Sequence, residues 1–206
     1  MAHQSDQRFL VLHALRVKGF AKLDVVSELT GLPEPTVDEH LRALQHEELT
    51  QFREARELWQ LTPSGRVAHG EALADDVADD GIRAALREPY EGFLTLNETF
   101  KALCGEWQLK DGSPNDHSDS AYDGAVIARL VEIDGKAQPA CSSFAAVMDR
   151  YGTYAPRLQT AADKVQGGNH QLFTGVMCNS YHDVWMELHE DLILTLGIDR
   201  AKEGSF

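Results

Sequence analysis

The sequence predicts a mainly α-helical protein in two parts: three helices followed by a β-hairpin, then an all-helical second domain. Three observations carry this. Apolar residues recur at spacings of three and four over most of the chain, the period of a helix with one buried face. One short region after Leu49 switches to alternation and holds the charged segment REARE between two runs. The chain of 206 residues has room for one large domain or two small ones, and its 43% hydrophobic content is ordinary for a globular protein.

The first helix is expected from Gln7 to Val17, with Phe9, Leu10, Leu12, Ala14 and Leu15, and Lys18-Gly19-Phe20 ends it. A second runs from Ala21 to Thr30 with Val25, Val26 and Leu29 on one face, and Gly31-Leu32-Pro33 breaks it. A third spans Pro35 to Glu48. Thr36 and Glu39 stand at the spacing of a capping box, and Val37, Leu41 and Leu44 form its apolar face. One strand then ends at Phe52, and Leu58, Gln60 and Thr62 belong to another. This order is a helix-turn-helix followed by a hairpin wing.

Pro63-Ser64-Gly65 turns the chain into an Ala- and acid-rich helix from Arg66 to about Asp80. It bridges residues 1–80 to a second domain, residues 81–206, with the boundary at Gly81. There, Ile82 to Arg87 makes a short segment before Pro89. Tyr90 to Leu109 follows as one helix with the stripe Phe93, Leu96, Phe100, Leu103 and Trp107. After the polar loop Asp111 to Asp123, a helix from Ala121 to Ile133 is closed by Gly135. A longer one from about Ala140 to Val165 should be kinked or divided in two by Pro156. The last helix, Met177 to Leu196, aligns His182, Trp185, His189, Leu192 and Leu196, and a turn and frayed tail from Gly197 to Phe206 close the chain.

The GL turn at Gly31, the TV-x-x-HL-x-x-L helix from Thr36 to Leu44, Leu49, the arginines Arg53 and Arg56, and LTPSGR from Leu61 to Arg66 resemble winged-helix transcriptional regulators of the MarR and GntR kind over about residues 6–75. The resemblance implies that the third helix enters the major groove of double-stranded DNA and that a homodimer reads two half-sites. Its exposed face offers Thr36, Asp38, Glu39, His40 and Arg42, with Arg42 its one permanent cation. Asp38 and Glu39 suit cytosine amino groups, and Arg53 and Arg56 suit the minor groove or the backbone. The same residues read equally as a solvated acidic helix face with commonplace hairpin arginines.

A winged helix followed by a helical domain further resembles GntR-type regulators, whose bundle binds a carboxylate ligand, often through a metal. Here the Asp-x-x-x-His of that pattern is missing from the second half. Candidate metal ligands are Asp116, His117, Asp119, His182 and His189, but the last two stand two turns apart, ~10.5 Å, too far to share one ion. Without metal, Arg150, Tyr154 and Arg157 share a face that could clamp an anion. Asn97, Lys101, His117, His182, Trp185 and His189 are the further ligand candidates. The alternatives are packed core histidines and a surface stripe of arginines paired with carboxylates.

Charge tempers the DNA reading. The net charge is −14, and residues 1–75 alone carry 8 Lys and Arg against 12 Asp and Glu, a balance of −4. Non-specific DNA affinity comes mainly from cations on phosphates, so it should be weak and steeply salt-dependent. Cys104, Cys141 and Cys178 are scattered with no CxxC, which suggests neither a zinc site nor a disulfide framework and fits a reducing cytoplasm. MAHQSDQRF is unlike an export signal, and no apolar run approaches the ~20 residues of a membrane helix. GxSxG, P-loop and GxGxxG signatures are missing, so no enzyme is expected. The expectation is a cytoplasmic, homodimeric DNA-binding regulator sensing a small anionic effector, with no certain cofactor and a divalent metal left open. Its rivals are a winged-helix protein-interaction module without DNA and, last, a metal-dependent enzyme.

Overall fold

The computed structural model describes residues 1–199 and is mainly helical. Helix α1 (Gln7–Lys18) is capped by Asp6, which accepts from the N–H groups of Arg8 and Phe9. Strand β1 (Phe20–Ala21) leads into α2 (Leu23–Thr30), which ends at Gly31 in the left-handed region. Helix α3 (Glu34–His46) starts two residues before Thr36. The expected capping box is therefore not used, because Pro33 is the cap residue and Pro35, with its fixed φ, fits the first turn. Strands β2 (Thr50–Arg53) and β3 (Leu58–Leu61) pair antiparallel around a 3-10 turn, Glu54–Arg56. β1 pairs with the far side of β3, giving a three-stranded sheet rather than a bare hairpin. Val11, Leu12 and Leu15 pack against Val26, Val37, Leu41, Leu44, Trp59 and Leu61 to close a small core.

Thr62, expected to end a strand, instead caps α4 (Pro63–Asp76) by accepting from the Gly65 N–H at 3.0 Å. Gly65 has a specific role here. A Cβ at this position would lie 1.9 Å from the Leu49 carbonyl oxygen, so α4 can approach the end of α3 only with glycine there.

Helix α5 (Asp80–Gln108) runs unbroken through Pro89. The two segments expected here are one, because Ile82, Leu86, Tyr90, Phe93, Phe100, Leu103 and Trp107 are all buried along a single stripe. A helix-interior proline costs about 3 kcal/mol, while each buried large apolar side chain contributes roughly 1.5–3 kcal/mol. Strands β4 (Leu109–Lys110) and β5 (Ser113–Pro114) form a tight hairpin whose two turn residues, Asp111 and Gly112, have φ of +53° and +78°. It delivers α6 (Ser120–Val147), capped by Asp119, which passes through both Gly135 and Pro139. The expected stop at Gly135 is overridden by the same logic, since Leu130, Ile133, Ala137, Cys141 and Phe144 continue one buried stripe. The real break comes at Met148, followed by a 3-10 turn, Asp149–Thr153, and α7 (Tyr154–Gln166). Pro156 therefore sits in a first turn and kinks nothing.

A short α8 (Gln171–Thr174) precedes α9 (Tyr181–Leu196), which Ser180 caps. α9 begins four residues later than expected. The expected turn and tail after Gly197 fall largely outside the described residues. The larger core gathers α5, α6, α7 and α9 around Trp185, whose ring lies between Phe93 and Phe100 at centroid distances of 5.0 and 4.8 Å. It also takes in Phe9, Leu73 and Val77, so α1 and α4 pack directly on the second half. No helix among the described residues is long and apolar enough to cross a membrane.

The Gly65 contact sets a test. Gly65→Ala forces a Cβ into the Leu49 backbone and should destabilise the fold by roughly 1–3 kcal/mol, read as a lowered midpoint in thermal or urea unfolding.

Candidate functional site

The chemistry-bearing side chains gather in two places: a buried network between the halves and the outer face of α3 with its hairpin. The network centres on Asp191 of α9, which is 1% exposed. His13 of α1 places Nε2 2.8 Å from its Oδ1, and Arg150 places Nε 3.3 Å from the same oxygen. Tyr154 donates its hydroxyl to Oδ2 at 3.0 Å. Arg150 also donates to Asp76 of α4 at 2.8 Å, to Ser5 at 3.2 Å and to Thr195 at 2.7 Å. Asp76 in turn holds His3, whose backbone bridges to the start of the 3-10 turn. On the far side His13 Nδ1 lies 2.9 Å from His69 Nε2, with the two rings stacked.

Electrostatics follow from that geometry. Burial works against a charged Asp191, but His13 and Arg150 beside it outweigh burial and hold the carboxyl well below the usual carboxylate range. Burial likewise opposes charge on Arg150, and Asp191, Tyr151 and Asp76 more than offset it. For His69, burial and the neighbouring His13 and Arg16 act together and push the imidazole down to about 3, so it is neutral near pH 7.

A second group flanks the first. Glu187 of α9 accepts from Arg157 at 2.6 Å and pairs with Lys18 of α1. Arg157 Nε lies 3.6 Å from Glu28 of α2, which accepts from Asn179 at 2.9 Å, and Arg16 reaches Glu190 at 3.0 Å. Charged side chains of α1 and α2 are thus paired with those of α7 and α9.

The anticipated ligand residues do not converge. Arg150, Tyr154 and Arg157 form neither an open anion clamp nor a surface stripe, because all three are buried against carboxylates of other elements. Trp185 donates to Asn97 at 2.9 Å inside the core, where His189 lies 3.4 Å from the Tyr90 hydroxyl. Lys101 pairs with Glu98 at the surface. His182 is half-buried, its Nδ1 has no hydrogen-bond partner, and burial lowers its pKa. It lines a groove of about 600 Å³ between the halves, walled by Val17, Phe20 and Val25 on one side and Val176 and Met186 on the other. His117 packs on Trp107 with Nδ1 3.0 Å from Asp123, Asp116 accepts from Ser118, and Asp119 caps α6 and holds Lys110. Among the described residues no three His, Cys, Asp or Glu side chains converge to hold a metal.

On the outer face, Thr36, Asp38 and His40 are half-buried while Glu39 and Arg42 are exposed. Arg42 is not a free cation, since its Nε donates to Asp38 at 2.7 Å. Arg53 and Arg56 are exposed at the hairpin tip, interleaved with Glu54 and Glu57. A groove of about 620 Å³ runs between α3 and the hairpin, with Phe52 and Trp59 in its lining.

The central residues of the network, His13, His69, Asp76, Glu187 and Asp191, escaped the sequence reading. Signals for them existed. His13 interrupts the apolar run Val11-Leu12-His13-Ala14-Leu15, and Glu187 and Asp191 stand four apart, on the spacing of one face of the last helix. Compared with protein families, with characterised proteins and with solved structures, the chain matches none.

Two outcomes are expected of the network. Asp191→Asn leaves the buried His13 and Arg150 without their shared anion and should cost roughly 3–5 kcal/mol of stability, read by urea unfolding at pH 7. The pH dependence has a definite sign. His69 has a folded pKa of about 3 against an ordinary 6.5. Its contribution to stability is complete above pH 6.5, declines as pH falls and is gone near 3. Each such group steepens the loss by up to about 1.4 kcal/mol per pH unit. Unfolding midpoints from pH 7 to 4 should fall, and His69→Asn should flatten that slope.

Proposed function

We propose that this chain is a winged-helix interaction module, in which α3 and the β2–β3 hairpin form a docking head and the helical second half holds that head rigidly. The observation that carries the reading is the pairing of a solvent-facing α3 groove with charges of the wrong sign for DNA. The lining of that groove includes Asp24, Glu34, Asp38, Glu54 and Glu57 against Lys22 and Arg42. A face with more carboxylates than cations repels phosphates and gains nothing from counterion release. Rim charges of this kind steer protein partners instead.

One observation favours a second reading, the DNA-binding regulator: Arg53 and Arg56 are both exposed at the hairpin tip, where a wing meets the backbone or minor groove. In that reading the chain is a cytoplasmic homodimer on an operator, and a small effector modulates it. The groove beside His182 is the place for such an effector in that reading, since Arg150 and Arg157 are occupied by carboxylates.

A titration of the protein against duplex DNA, a library of random fragments and its own upstream region, at low and moderate salt, separates the two. The interaction-module reading expects no saturable binding to any duplex at low salt. Sequence-preferring binding that weakens steeply with salt and is lost in the Arg53→Ala/Arg56→Ala double variant would establish the regulator.

A further inference from the structure

We propose that the groove between α3 and the hairpin takes an arginine-bearing segment of a partner protein, an inference that rests on the protein-docking reading. The groove, about 620 Å³, is of a size to hold a large side chain together with adjoining backbone. Its lining includes an aromatic pair. The Phe52 ring packs on Trp59 at a centroid distance of 5.0 Å, Trp59 is buried, and Phe52 is 37% exposed on top of it. Its walls are acidic, with five carboxylates and two cations. Both cations are engaged within the wall, Arg42 with Asp38 at 2.7 Å and Lys22 at 4.0 Å from Glu57. The lining therefore keeps an excess of three negative charges, five less two, around an exposed aromatic ring.

Charge complementarity selects the occupant. A guanidinium can lie flat on the Phe52 ring while its N–H groups turn to carboxylates such as Glu34 and Glu54. A lysine ammonium satisfies the charge but stacks less well. A neutral apolar peptide leaves the carboxylates uncompensated, and an acidic peptide or duplex DNA is repelled.

The test is fluorescence anisotropy of a fluorescein-labelled Arg/Gly/Leu peptide with the full chain, beside the same peptide carrying Lys or Glu in place of Arg and beside a labelled duplex. We expect saturable binding of the arginine peptide, binding of the lysine peptide weaker by roughly five-fold, and none of the glutamate peptide. Phe52→Ala should weaken the arginine peptide by about five-fold, and Glu34→Lys/Glu54→Lys by ten-fold or more, on the scale of two lost charge-assisted contacts. Glu132→Lys, an exposed charge reversal on α6, should leave binding unchanged. Circular dichroism melts of each variant establish that it is folded. No binding of the arginine peptide, equal binding of both cationic peptides, or binding indifferent to the Phe52 and Glu34/Glu54 changes overturns the proposal. Binding of the duplex, lost in Arg53→Ala/Arg56→Ala, overturns the protein-docking reading itself.

Discussion

The Asp191 carboxylate is the constraint on which the two halves depend. Taking an ion of this size out of water is expensive, and a buried anion persists only where cations and hydrogen-bond donors replace its hydration. Here those partners come from four separate places in the chain: His13 on α1 at ion-pair distance, Arg150 on the 3-10 turn, Tyr154 on α7 and Thr195 on α9 itself. None of these residues can leave without stranding the others. The requirement propagates outward through Arg150 to Asp76 and from there to His3 and Ser5, so the N-terminal arm and α4 are tied to the same centre. Burial of apolar surface is non-directional and brings the halves together. The network gives that contact one register.

The small core of the first half and the larger core of the second are distinct clusters, yet Phe9, Leu73 and Val77 of the first belong to the second. Through this shared apolar seam and the ion pairs beside it, the first half is packed directly against the second. Such packing suits recognition by a preformed surface, which spares the partner the entropy of ordering the site. The buried arginines belong to this packing. Arg150 and Arg157 act inside the fold, and in the proposed docking role the outward chemistry falls to the carboxylates and the exposed Phe52 of the α3 groove.

The helical periods were legible along the sequence because each helix buries one stripe, and Phe93, Phe100, Leu103 and Trp107 are buried in α5 as expected, while Leu96 is half-buried and Asn97 takes the buried position beside it. The helix ends were less legible. Pro89, Gly135 and Pro139 are local breakers by propensity, and all three lie inside long helices because continuous burial on both sides of them outweighs the local cost. The candidate site was legible only on α3 and the hairpin, where exposure follows from the pattern of neighbouring leucines. Of Arg150, Tyr154 and Arg157, expected on one helix, only the last two lie on α7, with Arg150 on the 3-10 turn before it, and spacing says nothing about what faces them, which is Asp191, Asp76 and Glu187.

By itself the sequence determined the mainly helical class, the apolar face of each element and the negative charge of the first half. These are local or additive properties: a period, a turn signal, a sum of charges. Only the tertiary structure decided which carboxylate meets which cation, that Arg42 is bound by Asp38, and that Asp191 collects His13 from 178 positions away in the chain. The reason is physical. A charge on a one-dimensional pattern has no defined surroundings, and its protonation, its partners and its role are set by burial and by groups that only folding brings within a few ångströms.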